Sequence, residues 1–145
     1  MSDTVVVPAR PDDLDAVLGL LEQAKLPREG VAEHFQDFLV AWAGGRLVGA
    51  VGLERYGQSV LVRSLVVSPS ERGRGVGQSL TERILERARA GEARRAFLLT
   101  ETAADFFPLF GFVRIPRDEA DPALRSSVEF ATACPQTAVC MRREL

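Results

Sequence analysis

The sequence predicts a single α/β domain over residues 1–145, in which short apolar strands alternate with amphipathic helices. Three observations carry this prediction: a helical apolar stripe near the N-terminus, three successive apolar segments between residues 38 and 67, and a strand, glycine-rich loop and helix between residues 60 and 90. The composition, 46% hydrophobic and 26% charged, is that of an ordinary globular protein.

The first half of the chain predicts one strand, two helices and three strands. After a strand over residues 4–7, Pro11 opens a helix that Pro27 ends, with its apolar stripe at Leu14, Val17, Leu18 and Leu21. Residues 30–36 follow as a shorter helix. Strands over 38–43 and 46–54 are joined at Gly44-Gly45, a hairpin signal, and the next strand covers 59–67.

The second half alternates helices and strands less regularly. A helix over 78–90 turns Leu80, Ile84, Leu85 and Ala88 inward. The remaining expectations are strands over 95–101, 111–115 and 137–142, a short helix over 103–110, and an irregular or partly helical segment over 116–135.

The loop between the strand and the helix is the strongest chemical signal. Bare glycine amides at a helix N-terminus, together with the helix dipole, favour a phosphate or pyrophosphate, and arginines add positive charge. The glycines do not form a P-loop, because no Lys followed by Ser or Thr comes after the last one. They also fail the dinucleotide pattern G-x-G-x-x-G, whose last position falls on Gln78 or Leu80.

The pattern that fits is Arg72-x-x-Gly75-Val76-Gly77, and here the chain resembles the GCN5-related N-acetyltransferase (GNAT) superfamily. The order of elements and the segment from Phe106 to Phe112 carry the same resemblance. It implies a mixed, mostly antiparallel sheet of six to seven strands with helices on both faces. It also implies a V-shaped splay between strands 4 and 5, where the pantetheine arm of acetyl-CoA binds strand amides.

The resemblance implies acetyl-CoA as co-substrate and no metal. The residues expected to bind it lie on strand 4, in the glycine loop and after strand 5: Leu65, Val66, Val67, Arg72, Gly73, Arg74, Gly75, Val76, Gly77 and Phe107. The backbone amides of residues 65–67 are expected to meet the oxyanion. Solvated loop charge is the alternative interpretation of Arg72 and Arg74.

Acetyl transfer to an amine requires a base to remove a proton from the ammonium group. Glu54, at the end of strand 3, is the first candidate and Glu101, after strand 5, is the second. Either would need a raised pKa, which partial burial can supply. The usual Tyr of the family, a proton donor, is replaced by Phe107; water, Tyr56 or Cys134 could take that role.

The acceptor amine is expected opposite the co-substrate, against residues 116–135. Arg63 interrupts an apolar strand and must find an anion or reach water. Together with Arg125, Ser126, Ser127 and Glu129 of the irregular segment it could hold a small zwitterion, with an arginine fork on the carboxylate. A salt bridge from Arg63 to Glu54 or Glu101 is the alternative. Cys134 is a further candidate for this wall, whereas Cys140 suits a small apolar strand residue.

Several short segments also resemble the amino-group acetyltransferases associated with bacterial arsenic-resistance operons. They include Glu33-His34-Phe35, residues 52–57 and 61–65, residues 98–103, and Cys134-Pro135. This branch also carries Phe in place of Tyr. It implies a small primary amine as substrate, either an amino acid or an amino-acid-like toxin.

The net charge of −2 argues against nucleic acid or an anionic membrane as partner. The sequence shows neither a signal peptide nor a membrane span, so the cytoplasm is the expected compartment, and the resemblance is compatible with a homodimer. A non-catalytic acyl-CoA sensor of the same fold is the alternative to an enzyme, because Phe107 lacks a proton to give.

Overall fold

The computed structural model describes residues 4–145 and contains one seven-stranded sheet in the order β1-β2-β3-β4-β5-β7-β6. Neighbouring strands are antiparallel except β4 and β5, which are parallel. The strands are β1 Val5–Pro8, β2 Phe38–Ala43, β3 Arg46–Tyr56, β4 Ser59–Val67, β5 Arg95–Thr100, β6 Val113–Ile115 and β7 Val139–Glu144.

The sheet opens between β4 and β5. Their registered pairs are Ser59 with Arg95, Val60 with Ala96 and Leu61 with Phe97, and within residues 4–145 the ladder goes no further. Both strands continue, to Val67 and to Thr100. The predicted V-shaped splay between strands 4 and 5 is therefore confirmed, and it leaves strand edges facing each other across a gap.

A β-bulge in β4 changes which side chains face which side of the sheet. Ala50 pairs with Val66 and Gly52 pairs with Arg63, so β4 has one residue more than β3 over this interval. Ser64 takes up the difference with φ 63°.

In the described part of the chain, three α-helices cover the two faces: α1 Leu14–Gln23, α2 Val31–His34 and α3 Val76–Ala90. The predicted inward residues of α3, Leu80, Ile84, Leu85 and Ala88, are buried against Val60, Val62 and Leu98. On the opposite face α1 packs through Val17 and Leu21 against Phe38, Val40 and Val66. The sheet is thus covered on both faces, as predicted.

Two helices are shorter than the sequence predicted. α1 stops at Gln23, before Pro27, and a 3₁₀ turn over Pro11–Asp13 precedes it. The helix expected over 103–110 is only a 3₁₀ turn over Phe107–Phe110. Pro108 disfavours helical geometry at the residue before it, and Gly111 ends the turn three residues later, so a longer helix has no room.

We call residues 116–135 the strap, because this segment crosses the sheet face opposite α3 between β6 and β7. It contains 3₁₀ turns over Arg117–Glu119 and Pro122–Ser126 and a π-helical turn over Glu129–Ala133. Ser59 Oγ donates to Asp121 Oδ2 at 2.6 Å, and Arg117 donates to the carbonyls of Phe130 and Pro135 at 2.5 and 2.8 Å. Leu124 is buried with Leu61 and Phe97, so the strap is fixed to the sheet.

Candidate active site

A cavity of about 390 Å³ opens beside the glycine loop. Its lining comes from the end of β4, the loop, the start of α3 and the segment after β5: Val67, Glu71, Arg72, Gly73, Gly75, Val76, Gly77, Gln78 and Phe106. The loop residues predicted from the sequence therefore line one cavity, with the exception of Arg74.

The loop has the geometry that an anion site requires. Gly75 directly precedes α3 with φ 83°, a left-handed conformation that a side chain would strain. Among the described residues no side chain caps α3, so the amides of its first turn are left for a ligand. A pyrophosphate therefore fits this helix start by charge and by hydrogen bonding.

The two loop arginines already have contacts. Arg72 Nε donates to the carbonyl of Val67 at 3.2 Å, and Arg74 Nη1 lies 3.9 Å from Glu71 Oε1. The Arg74 side chain is 66% exposed, which leaves it able to turn toward an anion.

The aromatic residue at the cavity is Phe106, whereas the sequence pointed to Phe107. Phe107 is buried in the core that α3 shares with the sheet, and its ring packs edge-on against Phe106 and Phe112 with centroids 5.2 and 5.7 Å apart. Phe107 is therefore a core residue, and the ring that lines the cavity is that of Phe106, where the sequence had indicated Phe107.

The second part of the site is a buried ionic cluster on the sheet face opposite α3. Arg63 Nη1 lies 2.6 Å from Glu54 Oε2 and Arg63 Nε lies 3.1 Å from Glu129 Oε2. All three residues are buried, with 3% of Arg63 and of Glu129 and none of Glu54 exposed. We call Glu54, Arg63 and Glu129 the Arg63 cluster.

Arg63 is occupied by the protein itself. Besides the two carboxylates, Nε donates to Ser64 Oγ at 2.9 Å and Nη2 to the carbonyl of Pro27 at 3.4 Å. A Cβ on Gly30 would lie 2.9 Å from Nη1, so glycine is needed for this close approach. The interpretation of Arg63 as a fork for a substrate carboxylate is thus replaced by the alternative salt bridge, to Glu54.

Glu54 does not have the raised pKa expected of a base. Burial raises the pKa of Glu54, but hydrogen bonds from Tyr56, Ser127 and Arg63 and the charge of Arg63 lower it more, so it lies below its ordinary value. The Tyr56 hydroxyl donates to Glu54 Oε1, and burial and that hydrogen bond raise the pKa of Tyr56. His34 Nε2 lies 3.7 Å from the same oxygen.

The pKa of Glu129 is shifted in the opposite direction to that of Glu54. Burial raises its pKa to about 7, and the Glu54 charge adds to the rise while Arg63 opposes it. The Cys134 thiol hydrogen-bonds to Glu129, and burial and that carboxylate raise the pKa of Cys134 to about 12. Burial raises the pKa of Cys140 to about 11, so both thiols are protonated at neutral pH.

Two predicted site residues lie outside the cluster. Glu101 follows β5 and is exposed, and Arg125 is exposed on the strap. The sequence placed Ser127 and Glu129 among the residues that could hold a zwitterion, but it did not predict their contacts with Arg63 and Glu54, because nothing in an irregular segment indicates which side chain turns inward. It also missed the contact of Tyr56 with Glu54, although a spacing of two on one strand places both side chains on the same face.

Residues 4–145 contain no group of three or more His, Cys, Asp or Glu side chains that could hold a metal ion. Within the same range no helix is long and apolar enough to cross a membrane.

Known proteins share this architecture. An N-acetyltransferase of Chlorobaculum tepidum, itself uncharacterized, is 26% identical over 96% of this chain and 92% of its own length. An amino-acid acetyltransferase of Neisseria meningitidis is 28% identical over 63% of this chain, which spans 22% of that protein.

Solved structures agree with the fold. N-acetylglutamate synthase from Neisseria gonorrhoeae, complexed with coenzyme A and N-acetyl-glutamate, superposes with a TM-score of 0.84 at 22% identity. All of this chain and 36% of the synthase are covered. A Mycobacterium tuberculosis protein in complex with CoA gives a TM-score of 0.82 at 27% identity, over 97% of this chain and 99% of that one.

The profile of the acetyltransferase (GNAT) domain matches residues 34–114, more than half of the chain. That range contains the splayed strands, the glycine loop and α3, the parts that form the cavity. The chain therefore belongs to the GNAT family of acetyltransferases, whose co-substrate is acetyl-CoA.

Proposed function

We propose that this protein transfers the acetyl group of acetyl-CoA to the primary amine of a small molecule, an amino acid or an amino-acid-like toxin. The observation that carries the proposal is the position of the Arg63 cluster. Arg63 precedes the bulge at Ser64, and residues 65–67 beyond it border the gap. An acceptor beside the cluster would therefore be close to an acetyl group held at that strand edge.

The transfer is direct. The ammonium loses one proton to a carboxylate, the lone pair of the amine attacks the acetyl carbonyl carbon, and the carbon–sulfur bond breaks with its electron pair on sulfur. The second nitrogen proton is lost to water, and water returns a proton to the thiolate, so the products are the amide and the thiol of CoA. Backbone amides of residues 65–67 stabilise the oxyanion, and the amides at the start of α3 hold the pyrophosphate. Orientation of both substrates supplies much of the rate, so no covalent enzyme intermediate is required.

Water protonates the departing thiolate in this proposal. Phe107 has no proton to give, and the Tyr56 hydroxyl already donates to Glu54. The raised pKa of Cys134, about 12, makes that thiol a poor donor. A thiolate is a tolerable leaving group, so a dedicated acid adds at most the usual ~10²–10⁴-fold.

The acceptor class rests on the relatives and on the resemblance to the arsenic-resistance branch. Arg125, exposed on the strap, is the candidate to bind an acceptor carboxylate, since Arg63 is not free to do so. A cytoplasmic location, a homodimer and a role of Glu101 as the catalytic base stay predictions.

The test is thiol release from acetyl-CoA by the purified protein with a panel of amino acids, polyamines and phosphinic or arsinic amino-acid analogues. Release stimulated by one amine class would establish the enzyme and its substrate class. Acetyl-CoA binding in calorimetry without release above hydrolysis with any amine would favour the alternative, a non-catalytic acyl-CoA sensor.

A further inference from the structure

The Arg63 cluster contains two carboxylates for one guanidinium, and the two are held differently. Both Glu54 oxygens are engaged, Oε1 by the Tyr56 hydroxyl and Oε2 by Arg63, and Ser127 adds a further hydrogen bond. Glu129 has one ion pair, to Arg63 Nε, and a hydrogen bond from the Cys134 thiol, which is a weak donor. Glu54 is therefore the better-stabilised anion.

The two carboxylates also differ in access. The Glu129 side chain is 5% exposed, whereas the Glu54 side chain is completely buried. Glu129 belongs to the strap and follows Val128, which is 36% exposed. It begins a π-helical turn. This backbone form is rare in proteins, and where it occurs it is often at a functional site. Glu129 is therefore the more accessible of the two carboxylates.

We propose that Glu129 accepts the proton that the acceptor amine loses, while Glu54 remains an anion that holds Arg63 and Tyr56. This assignment rests on the proposed acetyltransferase function. The ammonium gives a proton to a carboxylate oxygen of Glu129, and the freed amine attacks the acetyl carbon. The proton leaves Glu129 for solvent after turnover.

Charge balance supports this division of roles. Within the Arg63 cluster, Glu54 and Glu129 as anions and Arg63 as a cation leave one negative charge, which a bound ammonium neutralises. Proton transfer to Glu129 leaves one ion pair and two neutral groups, so the buried site stays neutral before and after the step. A paired set of carboxylates with opposite pKa shifts is the usual sign of separate acid–base roles.

The groups facing Glu129 set the pH range. These are Arg63 from β4, Glu54 from β3, Glu29 before α2 and Cys134 from the strap. The kcat/KM of the wild type is expected to fall as the pH drops through about 7, where Glu129 becomes protonated. Glu129→Gln should lose about 10²–10⁴-fold in kcat/KM and lose this limb of the profile.

The Glu54→Gln variant separates this role from a structural one. Because the Glu54 charge raises the pKa of Glu129, its removal should move the limb to lower pH without abolishing it. The matched control is Glu119→Gln, an exposed carboxylate of the same strap, which should leave the profile unchanged. Persistence of the limb in Glu129→Gln, or its loss in Glu54→Gln, would overturn the assignment.

A stability measurement, which needs no substrate, distinguishes failure of the Glu129 assignment from failure of the proposed acetyltransferase function. A native pKa above the ordinary value means that the folded protein binds more protons than the unfolded one. Wild-type stability should therefore fall as the pH rises from about 4.5 to about 7 relative to Glu129→Gln. If urea unfolding shows this difference but no amine is acetylated, both the acetyltransferase function and the role of Glu129 as its base are rejected. Turnover without the difference would reject Glu129 alone.

Discussion

At the residue scale, Arg63 is the centre of the buried ionic cluster. A buried guanidinium is favourable only if its donors are satisfied, and here carboxylates, a hydroxyl and a carbonyl satisfy them. The three charged residues come from β3, β4 and the strap, so the cluster also joins segments that are distant in sequence.

Replacing Arg63 with Met should destabilise the protein by about 3–5 kcal/mol at pH 8, because two buried carboxylates would lose their cation. The loss should be smaller at pH 5, where Glu129 is protonated and one buried charge is gone. Urea unfolding at the two pH values measures both effects. Arg94→Met, at an exposed arginine, is the control, and equal losses at pH 5 and pH 8 would contradict the account.

At the scale of elements, the glycine loop and the strap are fixed by different means. The loop depends on backbone conformation and on uncapped helix amides. The strap has little regular structure and is held by side chains, with Asp121 bound to Ser59 and Arg117 bound to two carbonyls. The Arg117 guanidinium lies over the Phe130 ring, with its Cζ 5.1 Å from the ring centroid.

Gly75→Asp should weaken acetyl-CoA binding by about tenfold or more, since a carboxylate would repel phosphate at a strained position. Calorimetry measures the affinity. Gly57→Asp is the matched control, because Gly57 has φ 64° in the β3–β4 turn, remote from the loop cavity. It should cost similar folding stability, about 1–2 kcal/mol, with unchanged affinity. Equal affinity in both variants would remove the phosphate-loop assignment.

Asp121 holds the strap to Ser59, and its contribution to folding stability should depend on pH with the opposite sign to that of Glu129. The hydrogen bond from Ser59 lowers the pKa of Asp121, so this carboxylate stabilises the fold above its unfolded pKa. Its contribution is lost as the pH falls through the lowered folded value. The stability difference between wild type and Asp121→Asn should be constant at neutral pH and shrink in acid. A difference that grows in acid would contradict this.

At the scale of the whole molecule, the sheet consists of two parts, β1–β4 and β5–β7–β6, joined by the short parallel ladder of β4 and β5. A ligand arm in the gap would add hydrogen bonds between the parts. Acetyl-CoA should therefore slow amide hydrogen exchange at residues 65–67 and in β5, measured by mass spectrometry. Protection limited to the loop at residues 72–77 would show that the arm does not lie in the gap.

The sequence was sufficient for the elements that have a clear period or turn signal. The strands, the inward face of α3 and the glycine loop were predicted to within a few residues, because alternation, helical spacing and glycine each have a local cause. The strap was not predictable in detail. Glu129 and Ser127 turn inward because of Arg63 and Glu54, residues more than sixty positions away, and no local pattern records such a contact.

The bulge at Ser64 has a consequence for how the protein can diversify. Leu65 and Val67 pack toward α3, whereas Leu61 and Val66 pack on the face that carries α1 and the strap. Deleting Ser64 would shift residues 65–67 by one place and exchange the two sets of side chains. Every residue except proline supplies a backbone amide, so substitutions at residues 65–67 can change the side chains on either face while the amides that border the gap stay in place. A deletion or an insertion here would exchange the two faces and is therefore far less tolerable than a substitution.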